Sequence, residues 1–153
     1  MKTLARPEHK AEILRRLSGL GPESTRRWGR MTVHQMVCHL CDSYRMAMGQ
    51  KAVSEAAGPL QRTVVKWIAL YLPLRWPAGI RTRPEIDQCL GSGTSPAAFA
   101  EDLAQLRGLT EDFTTRAPSL AGSRHPIFGP MSEAAWLRWS YLHMDHHLRQ
   151  FGA

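Results

Sequence analysis

The chain has 153 residues, 43% of them hydrophobic, with 20 Lys/Arg against 13 Asp/Glu and a formal net charge of +7. That length suits one domain with a real core, residues 1–153, and no low-complexity tract interrupts it. Three cysteines fit a reduced compartment without a disulfide framework, and the charged start (Lys2, Arg6, Glu8, Lys10, Glu12) lacks a secretory apolar run, so a cytoplasmic protein is expected.

The first helical pattern runs from about Pro7 to Leu20, with Ile13, Leu14, Leu17 and Leu20 on one stripe and Gly21-Pro22 as its stop. Thr32 then reads as an N-cap, and Gln35 gives the capping-box spacing. Val33, Met36, Val37, Leu40, Tyr44 and Ala47 continue the apolar face of this second helix toward Gly49. A third, shorter piece follows Gly58-Pro59, roughly Leu60 to Leu72, amphipathic through Val64, Val65, Ile68 and Leu72, and Pro73 ends it. From Pro73 to Gly93 prolines and glycines predict an irregular segment, long enough to imply a function or a lid. Ser95-Pro96 reads as a cap and first helical proline, opening a helix through Phe99, Leu103, Leu106 and Phe113 to about Arg116. Pro118 to Pro130 is expected to be a loop, and Ser132 opens a last helix to about Phe151, closed by Gly152. Four principal helices, a short extra one and no alternating strands predict an all-α four-helix bundle, with the irregular segment between its second and third long helices.

Charge is uneven along the chain. Through Pro84 there are 15 Lys/Arg and 5 Asp/Glu, beyond it 5 and 8. Such a skew can steer an anionic ligand. The basic residues are scattered through predicted helices without a dense run or recognition motif, so no nucleic-acid partner is expected. The most apolar stretch, Val64 to Ile80, carries Lys66, Arg75 and two prolines, so no membrane partner is expected either.

The last helix carries the chemistry. His143 and His147 are four residues apart, so their Cβ atoms lie about 5–6 Å apart on one helix face, where two imidazoles can converge on one ion. At 100° per residue they share a face with Trp136, Trp139, Ser140 and Gln150, in positions where a core prefers Leu or Val. A third ligand is then required. His34, His39, His125 and His146 are the candidates, and periodicity leaves His34 and His39 nearly tied on the two margins of the second helix's inward stripe. His146 is a candidate second ring of support or a substitute ligand, Asp145 faces away, and His125 is expected to be an exposed loop residue. Cys38 and Cys41 form a C-x-x-C in mid-helix, without the helix N-terminus or second C-x-x-C that redox or zinc chemistry uses, so ordinary buried thiols are expected.

The combination of Trp28, Thr32, His39-Leu40 and the late His143-x3-His147-x2-Gln150 resembles the DinB-like (YfiT-like) metal-binding superfamily. It covers nearly the whole chain, and the segments Trp76–Glu85, His125–Gly129 and Asp145–Gly152 look like an uncharacterised branch of it. The resemblance implies a four-helix bundle, a homodimer, and His39, His143 and His147 as ligands of a divalent metal. Three neutral histidines leave zinc, nickel or a similar ion with open positions, which suits catalysis on a small-molecule substrate. Within such a superfamily the expected activity is a transferase dependent on a low-molecular-weight thiol. A metal-dependent hydrolase and a non-catalytic metal-binding module are the alternatives. Met144 stands where H-E-x-x-H places its glutamate, which excludes that protease motif. Arg81 and Arg83, in the long irregular segment, are the candidate contacts for an anionic thiol cofactor, against the ordinary reading of solvated surface arginines. Glu85, Asp87 and His125 are loop residues with the right chemistry to approach the ion.

Overall fold

Helix α1 (Pro7–Ser18) starts with proline at its first position and buries Ile13 and Leu17 completely. Helix α2 (Val33–Ala47) begins at Thr32 with both halves of the expected capping box: the Thr32 hydroxyl accepts from the Gln35 amide, and the Gln35 side chain accepts from the Thr32 amide. Every residue from Met36 to Tyr44 is buried, so α2 is covered on all sides rather than along one stripe. The computed structural model describes residues 1–153 and is mostly helical, with five α-helices.

The short third helix departs from the sequence pattern. A π-helical turn at Gln61–Val65 leads into α3 (Lys66–Tyr71), and the expected inward stripe faces out: Val64, Val65 and Ile68 are 51%, 37% and 43% exposed. The residue that docks is Leu70, fully buried, with its carbonyl accepting from Arg138 Nε at 2.9 Å. A helix this short contacts the body through about one turn, so a single residue decides which face turns inward. The segment from Pro73 to Gly93 is irregular as expected, apart from one 3₁₀ turn at Pro84–Ile86.

Helix α4 (Phe99–Arg116) starts later than Ser95-Pro96 predicts, and neither Ser95 nor Ala98 caps it with a side chain. Instead Asp102, in its first turn, reaches back to accept from the Ala97 amide at 3.1 Å. After a 3₁₀ turn at Ala117–Leu120, the expected loop holds a small antiparallel hairpin of β1 (Arg124–His125) and β2 (Gly129–Pro130). Helix α5 (Glu133–Gln150) is capped by Ser132, whose hydroxyl accepts from the Ala135 amide.

Packing places α2 against α4 and α1 against α5, with α3 resting on α5. One cluster of 27 buried hydrophobic residues joins them, centred on Leu17, Met36, Leu40, Phe113 and Trp136. A buried Tyr44–Ser140 hydroxyl pair at 2.7 Å fixes the α2–α5 register. No helix is long and apolar enough to cross a membrane.

Candidate metal centre

Helices α2 and α5 bring His39, His143 and His147 together, with one ring nitrogen of each within 4.8 Å of the others. Between His39 Nε2 and His143 Nε2 the separation is 3.3 Å. Two nitrogens bound at about 2.0–2.1 Å to a tetrahedral ion lie about 3.3–3.4 Å apart, so this spacing fits a shared cation. The three ring centroids are 4.9, 4.9 and 5.3 Å apart, each pair edge to face.

Two of the three rings have their metal-facing nitrogen freed by a bond at the other one. His39 Nδ1 donates to the Ile86 carbonyl at 2.7 Å, so its neutral ring carries a lone pair on Nε2. His147 Nδ1 donates to Gln150 Oε1 at 2.9 Å, and Gln150 Nε2 donates in turn to the Trp28 carbonyl at 2.9 Å. That carbonyl can only accept, which fixes the orientation of the Gln150 amide and hence the tautomer of His147. Burial holds all three histidines below the usual imidazole pKa, and at His143 and His147 the neighbouring imidazoles add to it. Neutral rings are the form that a divalent ion takes. The donor set and its support therefore fit a metal.

Two further devices hold the site. Gly29 has φ +83°, and a Cβ there would stand 2.5 Å from Gln150 Nε2, so glycine lets the Trp28 carbonyl come close to α5. Asp42, fully buried one turn after His39, accepts from Lys51, Gln88 Nε2, and the amide and hydroxyl of Thr94. It thus ties the stretch after Ile86 to α2. Sequence reasoning passed over Asp42; a lone acid in the apolar run Met36–Tyr44 was its signal.

The remaining candidates fall elsewhere. His34 lies apart, its Nε2 paired with Asp102 at 2.7 Å, and Cys38 Sγ stands 3.7 Å from the same carboxylate. That His34–Cys38–Asp102 group has the residue types of a metal site, yet the Asp102 oxygen facing His34 and Cys38 is already engaged by the Ala97 amide just before α4. Cys38 and Cys41 are buried thiols, each pushed up to about 12 chiefly by burial. Asp145 turns away to Arg16 and Arg149, at 2.8 and 2.9 Å. Glu85 accepts from the Ser54 amide, and Asp87 caps the Cys89 amide and faces Arg30. His146 stands between Trp28 and Trp76, with ring centroids 6.0 and 6.1 Å away and its Nδ1 buried without a partner. His125, expected on the surface, is 5% exposed: the hairpin folds its ring under Phe128 and against Trp136 and Trp139.

Above the three histidines opens a cavity of about 420 Å³. Its walls are largely apolar, with Val65, Ile68, Trp76, Ile80, Phe128 and Trp139 among them, which accounts for the outward turn of the α3 stripe. No aspartate or glutamate lines it. Arg81 and Arg83 both do; Arg81 is exposed, and Arg83 donates to the Ser54 hydroxyl while its Nε is buried without a partner.

Residues 6–153 match the model of a family described as a protein of unknown function, DUF1569. No curated protein and no solved structure matches the chain.

Proposed function

Because the chain belongs to the DUF1569 family, whose description names no activity, we propose from its own geometry that it is a divalent-metal-dependent enzyme acting on a small thiol. Zinc or nickel would be held by His39, His143 and His147. The observation that carries the reading is the position of the three neutral imidazoles at a largely apolar cavity without a carboxylate. A metal bound there would lower the pKa of a coordinated thiol or water and so supply a nucleophile near neutral pH.

The chain's own residues supply the rest. Ile86 O and Gln150 orient His39 and His147. Trp76, Phe128 and Trp139 wall the space beside the histidines with apolar rings, which would lower the local dielectric and strengthen electrostatic interactions with a bound substrate. Arg81 and Arg83 would bind the anionic end of a low-molecular-weight thiol, leaving its sulfur free to reach the three histidines. Transfer to an electrophile suits this cavity better than hydrolysis, because no side chain there can act as a carboxylate base for water. The helix order and the His39, His143, His147 and Gln150 pattern support placing the chain among DinB-like four-helix bundles, and the exposed Val64, Trp67 and Ile68 support a homodimer.

Metal analysis of untagged protein purified without chelators, followed by a screen of anionic thiols against alkyl electrophiles, tests the reading. One metal per chain and thiol consumption that depends on it are expected, with the Arg81→Ala/Arg83→Ala double variant raising KM for an anionic thiol. Substoichiometric metal would overturn the proposal, and turnover of esters or amides without any thiol would replace the transferase with a hydrolase.

A further inference from the structure

A fourth histidine lines the same cavity, and the turn that carries it fixes its chemistry. His125 ends β1, and its Nδ1 accepts from two backbone amides, Ile127 at 3.1 Å and Phe128 at 3.3 Å. Amides can only donate, so Nδ1 holds its lone pair and the single proton of the neutral ring sits on Nε2. Protonating Nδ1 would break both bonds and place a charge in a buried site, where the ring stacks on Phe128 at 4.7 Å and meets Trp136 and Trp139 at 5.6 and 5.2 Å. Burial, with the Lys66 charge adding to it, accordingly pushes His125 down to about 3.

Nε2 makes no hydrogen bond within the protein, yet it is not among the sealed, unpartnered polar atoms, and His125 lines the cavity with the three metal-compatible histidines. Trp139 is their common wall, stacked on His143 at 5.0 Å and touching His125 on its other contact. An N–H bond on an apolar wall has only cavity water, or a ligand that displaces it, to supply an acceptor. Pockets of this kind take orientation and specificity from a few such placed polar groups.

We infer that His125 is a substrate-recognition residue: its fixed, uncharged Nε2–H binds a carbonyl-type acceptor oxygen on a substrate with an apolar body. The inference rests on reading this cavity as the active site, and it names the substrate class of that site. An imidazolium would attract carboxylates, whereas a neutral donor suits a neutral oxygen, and the arginines at Arg81 and Arg83 remain for anionic groups. A site built to hydrogen-bond one oxygen discriminates strongly against a shape-matched ligand that lacks it.

Two probes of similar shape, 4-phenylbutan-2-one and butylbenzene, test this when their affinities are compared in wild type and two variants. In His125→Asn the side-chain oxygen replaces Nδ1 at the two amides but nothing reaches the position of Nε2. His125→Gln does the reverse, restoring an N–H near Nε2 while giving up the turn. The ketone-to-hydrocarbon preference is expected to fall about five- to tenfold in His125→Asn, the effect of one neutral hydrogen bond, with metal content unchanged. His125→Gln should retain much of the preference with a lowered Tm. In wild type the ketone should shift the ¹H–¹⁵N resonance of His125 Nε2–H. An undiminished preference in His125→Asn, or an Nε2–H resonance unmoved by the ketone at its solubility limit, would overturn the inference. Wild-type protein that shows the His125-dependent preference but no turnover would support this inference and count against the enzyme reading alone.

Discussion

Gln150 accepts the Nδ1 proton of His147 at 2.9 Å while donating to the Trp28 carbonyl, so one amide links the loop before α2 to a candidate metal ligand on α5. Replacing Gln150 with leucine leaves the fold's apolar contacts and removes both bonds. Metal affinity is expected to fall about 10–100-fold, the usual effect of losing such an outer support. Competition with a chromophoric chelator measures it. Gly29→Ala should act through the same residue, since its Cβ meets Gln150 Nε2, and an unchanged affinity in both variants would show that the amide does not orient the ring.

His39 and His34 separate the two arrangements that helical periodicity left level and that resemblance alone resolved toward His39. His39→Ala should abolish stoichiometric metal, whereas His34→Ala should retain it and lose stability instead, because His34 pairs with Asp102. Metal retained in His39→Ala and lost in His34→Ala would place the ion beside Cys38 and Asp102.

Metal should stabilise the folded chain by mass action. At a free concentration 100 times Kd the gain is about 2.7 kcal/mol, which for a domain of this size raises Tm by about 5–10 °C. Thermal scans with and without chelator read the shift, and His143→Ala should show none.

Asp42 carries a pH-dependent part of the stability. Burial alone would raise its pKa, but the bonds from Lys51 and Thr94 outweigh burial and hold it below the usual carboxylate value. A group depressed in the folded state stabilises above its unfolded pKa, and that contribution disappears as pH falls through the folded value. Denaturant titrations should therefore show stability lost below about pH 4, with a shallower loss in Asp42→Asn. Asp42→Ala should cost about 3 kcal/mol, the low end for a broken buried ion pair, because Arg45 and Lys51 can turn to solvent. It should also weaken metal binding, since the segment holding Ile86 against His39 comes loose. Stability independent of pH in this range would exclude the Asp42 clamp as its source.

Local rules written along the chain carried the helices. Thr32 and Gln35 announced the start of α2, Ser132 that of α5, and the His143–His147 spacing put both rings on one face, because capping and the 3.6-residue repeat act within a few residues. Docking followed no such rule. One buried contact at Leu70 set the facing of α3, and α4 began at Phe99 without a side-chain cap, its approach held by Asp102 on the Ala97 amide rather than by Ser95. His34 and His39 stand on opposite margins of one stripe, and only the packing of α2 between α4 and α5 sends the first to Asp102 and the second to His143. His125 shows the same division, since its sequence neighbours spell an exposed turn and its burial comes from aromatic rings on α5 and β2's approach. By itself, then, the sequence determined which helices form and that α5 carries two imidazoles ready for a metal. Resemblance had also named His39, but its approach to α5, the cavity above it and the fixed proton on His125 were decided by tertiary structure, because each depends on a contact between residues far apart in the chain.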